Sequence, residues 1–202
     1  MAFYNQDDDD STWISVSFTS SPKYDFGAFA KGYSSSASIL TKQLVEKTYF
    51  PDYDAYPVIF LYRHSFELNL KNIIYWSARL LAFKRVENIG EKLHNTHDLI
   101  KLAKNVEIIL LKAFPKDLDL REVVQSIVST AQDFSEIDPD SYSYRYPIST
   151  KGDYSTRPGQ SVNLSSVSKH MDNLLENLDT INFGLNLETD IAQEVYEAYL
   201  SL

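Results

Sequence analysis

Three charged residues and a histidine are grouped in a stretch of the sequence that is otherwise mainly apolar. Arg63, Glu67 and Lys71 follow one another at four-residue intervals, and His64 is next to Arg63. Side chains four residues apart are neighbours on an α-helix, so the three charges would form one stripe. The apolar surroundings predict that part of this stripe is buried, where each charge needs a partner. The stripe is therefore interpreted either as an internal ion-pair network or as part of a ligand or catalytic site.

Two further histidines come before and at the start of another predicted helix. His97 and Asp98 would lie in its first turn, where backbone N–H groups can hold an anion. His94 and His97 have a spacing that could contribute to a metal site. Such a site needs three or four ligands, and because the chain has no cysteine, carboxylates would have to supply the others. We predict no bound metal.

A third candidate is the tyrosine-rich segment 138–147, DPDSYSYRYP, which we call the strap. Proline favours an extended conformation in the residue before it, here Tyr146, and Arg145 can offer a carboxylate two parallel hydrogen bonds. We predict that Arg145 pairs with Glu67 and that the three segments meet in space. The alternative is that this strap is a ligand-binding loop.

Apolar residues at three- and four-residue steps predict the helices that hold these segments. They cover residues 25–47, 58–83, 95 or 96 to 114, 120–134, 165–181 and, after a break at Gly184, a short helix at 188–200. The second helix is apolar around most of its circumference, with Ile59, Phe66 and Ile73 expected inside, which predicts a central position. Asn95 or Thr96 is expected to cap the third helix.

The predicted fold class is all-α, an up-and-down helical bundle of four to five main helices. It forms a single domain over residues 23–202, after a flexible N-terminal arm of residues 1–22. The long polar loop at 135–160 interrupts the helices near their end.

Composition narrows the classes of function. The 202 residues carry a net charge of −9, which disfavours broad nonspecific binding to nucleic acid, although a local basic cleft could still bind RNA. The longest near-apolar stretch, 56–62, is too short to span a bilayer, and the N-terminus is acidic where a signal peptide would be basic. We therefore predict a cytoplasmic protein without membrane association. Phosphate-loop, dinucleotide, HExxH and GxSxG motifs are absent, and no cofactor is predicted.

The three candidate segments, taken in order, resemble a known family. RHSFELNLK at 63–71, HDL at 97–99 and YRYP at 144–147 are similar to the RHxxELxLK, HDLxxL and (F/Y)RYP segments of bacterial HEPN-like helical proteins. The resemblance covers residues 58–148. It implies a bundle of four or five helices that usually dimerises. Many HEPN proteins are metal-independent endoribonucleases in defence or toxin–antitoxin systems, and others are noncatalytic modules associated with nucleotides or RNA.

One departure from the family pattern concerns catalysis. Ribonuclease members carry an arginine, four to six further residues and then a histidine. Here Arg63 is directly followed by His64, and eight residues separate Arg85 from His94. This departure and the acidic net charge favour a noncatalytic protein.

Three functions remain as alternatives. The first is a noncatalytic, homodimeric module that binds a nucleotide, RNA or a protein partner in a defence or toxin–antitoxin context. The second is a metal-independent endoribonuclease, with His64 or His97 as acid or base and Arg63 or Arg145 stabilising the phosphorane charge. The third is a metal-dependent hydrolase that uses His94 and His97. The predicted binding or structural cluster consists of Arg63, His64, Glu67, Lys71, His97, Asp98, Arg145 and Tyr146.

Overall fold

The computed structural model describes residues 14, 26–84, 96–138, 141–149, 151–156, 159 and 161–201. These residues form five α-helices: α1 Phe26–Val45, α2 Asp52–Phe83, α3 Leu99–Ala113, α4 Asp119–Ile137 and α5 Leu164–Leu200. They contain no β-strand, only an isolated antiparallel bridge between Ile148 and Tyr154. The predicted all-helical bundle is confirmed. The predicted N-terminal arm, apart from Ile14, lies outside the described residues.

The second helix, α2, is the centre of the bundle and contacts α1, α3 and α5. Ile59, Phe66 and Ile73 are at most 2% exposed, which confirms the predicted burial of this helix. Burying a side chain of this size contributes about 1.5–3 kcal/mol to stability. Because α2 is covered on several sides, its polar residues are also forced into the interior, and this placement determines the chemistry of the candidate site.

Contacts at both ends show that α2 and α3 run in the same direction. His97, just before α3, contacts Glu67, and Lys84, just after α2, lies over the ring of Phe114 at the end of α3. α4 then returns in the opposite direction and ends at Asp138, beside the start of α3. The start of α3 and the end of α4 therefore meet α2 near Arg63 and Glu67.

The central helix begins earlier than the sequence predicts. It starts at Asp52, and Pro57 lies inside it. Pro57 is the sixth residue of the helix, so it removes the N–H that would bond the carbonyl of Tyr53, and its ring crowds that carbonyl. Asp52 and Asp54 in the first turn stabilise this early start through the helix dipole.

The last helix is continuous, so the predicted break at Gly184 is wrong. A glycine inside a helix costs about 1 kcal/mol relative to alanine. That cost is small beside the packing on both sides of it, where Leu178, Leu185 and Thr189 are almost fully buried. Within the described residues, none of the helices is long and apolar enough to cross a membrane.

Candidate functional site

The predicted charge stripe on α2 is an internal ion-pair ladder. Glu67 Oε2 accepts a hydrogen bond from Arg63 Nη1 at 3.1 Å, and Oε1 accepts one from Lys71 Nζ at 2.7 Å. Arg63 and Glu67 are 1% exposed and Lys71 is 7% exposed. The Nδ1 atom of His97 lies 2.9 Å from Glu67 Oε1. The first and second predicted segments therefore meet at Glu67.

A further acid from α4 completes this network. Asp138, at the C-terminal end of α4, is 1% exposed, and its Oδ2 lies 3.1 Å from Arg63 Nε. The angle of this contact is outside hydrogen-bond range, so the attraction is Coulombic. Arg63 Nη2 also donates to the carbonyl of His97 at 3.1 Å. Leaving His97 aside, the formal charges of Arg63, Lys71, Glu67 and Asp138 cancel, as a buried cluster requires.

Opposing effects act on the pKa of Glu67. Burial alone would raise it, but the hydrogen bond and positive charge of Lys71, together with His97, outweigh burial and hold the pKa of Glu67 below its ordinary value. The carboxylate is therefore ionised at neutral pH and held by three donors. A carboxylate in this state stabilises the start of α3 against α2 and has little capacity to exchange protons with a ligand.

The predicted pairing of Arg145 with Glu67 is wrong. Arg145 Nε donates to the carbonyl oxygen of Ser141 at 2.7 Å, and Arg145 Nη2 donates to the same oxygen. The guanidinium lies over the rings of Phe60, Tyr142 and Tyr146, at 5.4, 5.2 and 5.6 Å from their centroids. The third segment thus reaches the ion pairs through Asp138, while Arg145 stays with the aromatic rings.

The reason for this difference is the shape of the strap. The predicted extended strap is instead a helical turn, in which the N–H of Tyr146 donates to the carbonyl of Tyr142 at 3.0 Å. Asp138 Oδ1 accepts from the N–H of Ser143 at 2.9 Å, and Ser141 has a positive φ of 62°. These two features fold the chain back so that the carbonyl of Ser141 is within reach of Arg145.

His64 lies next to the same aromatic group. Its ring stacks on Phe60 with a centroid distance of 5.6 Å and meets the edge of Tyr33 at 4.6 Å. Burial is the largest influence on the pKa of His64 and lowers it, so the ring is uncharged at neutral pH. Phe60 contacts both His64 and Arg145 and thereby connects the first segment with the third.

The remaining members of the predicted cluster are His97, Asp98 and Tyr146, and only His97 joins the ion pairs. His97 is 65% exposed, and its Nε2 is the ring nitrogen not engaged by Glu67. Contrary to prediction, Asp98 takes no part in the ion pairs; it is the N-cap of α3, where its Oδ1 accepts from the N–H of Lys101 at 3.0 Å. Tyr146 is 51% exposed and packs against Arg145.

Four side chains of the cluster reach solvent at least in part, namely His64, His97, Arg145 and Tyr146, and we call them the motif face. It offers a guanidinium, two imidazoles and an aromatic ring, a combination suited to a phosphate next to a base or ring. Sequence reasoning missed Asp138 and Phe60. The signal for Asp138 was the imbalance of two cations and one anion on a buried stripe, which requires one more acid.

Metal binding has no support among the described residues, where no group of three or more His, Asp or Glu side chains is arranged to hold an ion. His94, on which the predicted metal alternative depends, lies outside them. Comparison with protein-family models, curated proteins and solved structures yields no match.

Proposed function

We propose that the chain is a HEPN-like, noncatalytic module that works as a homodimer and binds a nucleotide or the end of an RNA on the motif face, in a defence or toxin–antitoxin context. One observation supports the noncatalytic part above all. The ionised groups at the core of the motifs, Arg63, Glu67 and Lys71, are buried and use one another as partners. Groups in this state hold helices together, and they are not free to shuttle protons.

The exposed groups support a ligand that combines a phosphate with a base. The two bonds to Ser141 use Nε and Nη2 of Arg145, which leaves Nη1 for another acceptor, and arginine favours phosphate as a partner. Tyr146 is half exposed beside it and offers a face on which a base can stack. His97 Nε2 adds a third polar group. Such a small patch also agrees with the overall acidic charge, since it contacts one or two phosphates instead of a long backbone.

A direct binding measurement tests the proposal. Fluorescence anisotropy with labelled single-stranded RNA, and calorimetry with AMP and ATP, should show binding that Arg145→Gln weakens at least tenfold. Arg121→Gln is the matched control, because it removes an exposed arginine from α4 and should bind like the wild type. If none of these probes binds, or if both variants lose affinity equally, the motif face is not the site.

The pair of Glu67 and His97 favours one second candidate, the metal-independent endoribonuclease. A carboxylate bonded to one ring nitrogen of an exposed histidine is how many enzymes orient an acid or base. RNA incubated with the protein, with and without EDTA, separates the candidates. Intact RNA supports the noncatalytic module, whereas cleavage that survives EDTA and is lost in His97→Gln supports the nuclease. Cleavage that EDTA abolishes would favour the metal-dependent hydrolase.

The homodimer rests on the resemblance to HEPN proteins and on the high aromatic content. Light scattering on the full chain at micromolar concentration should give the mass of two chains. The mass of one chain under these conditions would contradict the dimer and leave the ligand proposal standing.

A further inference from the structure

The C-terminal half of α5 carries a row of exposed apolar side chains. The row repeats every four residues and consists of Phe183, Leu187, Ile191, Val195 and Tyr199. Their exposed fractions run from 50% at Ile191 to 72% at Phe183. Single exposed apolar residues are ordinary on protein surfaces, but a continuous row over four turns is a feature of binding surfaces.

The spacing of the row identifies the kind of element that fits it. At 1.5 Å per residue the row is about 24 Å long, and each four-residue step turns about 40° further around the helix. A row of this spacing is the ridge that packs between side chains of another helix at a crossing angle near −50°. Coiled coils need alternating steps of three and four residues, which this row lacks. The geometry therefore fits a helix that crosses α5.

A groove runs beside the row from Glu188 to Tyr199. It has a volume of about 430 Å³ and lies between α5 and the end of α2. Phe83 of α2 and Ala192 of α5 line it together with Ile191 and Val195 from the row. A large apolar side chain of a crossing helix can enter this groove, which gives the surface a fixed register.

The charge around the row determines the chemistry of the occupant. Residues 180–200 contain Glu188, Asp190, Glu194 and Glu197, and no lysine, arginine or histidine. Glu188 alone among these four has an ion-pair partner within the described residues, Lys84 at 3.5 Å. An apolar row bordered by acids on one helix is complementary to an apolar row bordered by bases on another.

We propose that this surface docks a partner protein through a basic amphipathic helix. A second copy of the chain fits it poorly, because the surface of each copy is acidic and Lys84, the cation beside it, is already paired with Glu188. The dimer proposed above therefore uses another face. This inference does not rest on the function proposed for the motif face, since it depends on none of the same residues.

The test uses a designed helical peptide as the probe. It carries leucine at every fourth position with lysines on both sides, and a matched peptide carries glutamates in place of the lysines. The full-length protein should bind the lysine peptide at least tenfold more tightly than the glutamate peptide. Ile191→Ser should weaken binding of the lysine peptide at least tenfold, while Ile108→Ser, which changes another isoleucine that is more than half exposed, on α3, should leave it unchanged.

A charge reversal guards against a general attraction between a basic peptide and an acidic protein. Asp190→Lys combined with Glu194→Lys should reverse the preference between the two peptides, and Arg145→Gln should bind the lysine peptide like the wild type. Equal losses in Ile191→Ser and Ile108→Ser, or an unchanged preference after charge reversal, would overturn the proposal. So would light scattering in which Ile191→Ser converts a dimer to a monomer, because a second copy would then cover the row.

Discussion

The replacement Asp138→Asn tests whether the buried charges are balanced as described. The side chain keeps its shape and can still accept the hydrogen bond from the N–H of Ser143, but the negative charge beside Arg63 is lost. The buried cluster then changes from a formal charge of zero to +1. Removing one partner from a buried ion pair costs roughly 3–5 kcal/mol, and because the hydrogen bond remains we expect about 3 kcal/mol. At about 2–4 °C per kcal/mol for a chain of this size, the melting temperature should fall by about 6–12 °C.

The measurement is urea unfolding followed by circular dichroism, with a matched control on the same helix. Asp133→Asn removes the same charge from the exposed face of α4 and should change stability by less than about 0.5 kcal/mol. Arg63→Met leaves the cluster at −1, and combining it with Asp138→Asn restores zero. The double variant should therefore be more stable than the sum of the single changes by about 1–3 kcal/mol. If Asp138→Asn unfolds like Asp133→Asn, or the two effects simply add, the buried charges are not coupled.

Three further results are expected from the same structure. Arg145→Ala should cost only about 1 kcal/mol, well below Asp138→Asn, since Arg145 is itself exposed and bonds one backbone carbonyl beside aromatic rings. An equal or larger loss in urea unfolding would return Arg145 to the network. Burial lowers the pKa of His64 from 6.5, so the unfolded chain binds a proton first and stability should be lost as pH falls below about 6.5. His64→Gln should make that decline shallower, and parallel curves for the two proteins would refute the assignment. Gly184→Ala should stabilise the chain by up to about 1 kcal/mol, because alanine favours the helix and its new methyl group meets no atom within 4 Å. Gly152→Ala should destabilise the chain, because Gly152 has a φ of +86°. Thermal melts of both variants test these two expectations.

The central features of the fold were predictable because they follow from local periodicity. Ile59, Phe66 and Ile73 recur at helical spacing, so the burial of α2 could be read from the chain. The ladder of Arg63, Glu67 and Lys71 was predictable for the same reason, since four-residue spacing alone brings these side chains together. The continuity of α5 could not be predicted, because the penalty of Gly184 is local while the packing that outweighs it comes from other helices.

The difference between local sequence patterns and contacts with distant parts of the chain also explains why the predicted pairing of Arg145 with Glu67 was wrong. Which carboxylate faces Arg63 depends on where α4 ends, and the position of Arg145 depends on the left-handed conformation of Ser141. Non-glycine residues seldom adopt this conformation, and nothing in the local sequence marks Ser141 for it. The sequence shows that Arg145 lies next to tyrosines. Its hydrogen-bond partner is a backbone carbonyl, and because every residue has one, the residue types do not indicate which carbonyl it is.

The balance of buried charge also affects how the chain folds. A chain that buried Arg63, Glu67 and Lys71 before Asp138 had joined them would carry one positive charge in excess. The missing acid, Asp138, lies 75 positions after Arg63 in the sequence and arrives only with α4. Such an intermediate is penalised by the desolvation of an unmatched cation. The cluster therefore couples the docking of the start of α3 and of the end of α4 onto α2.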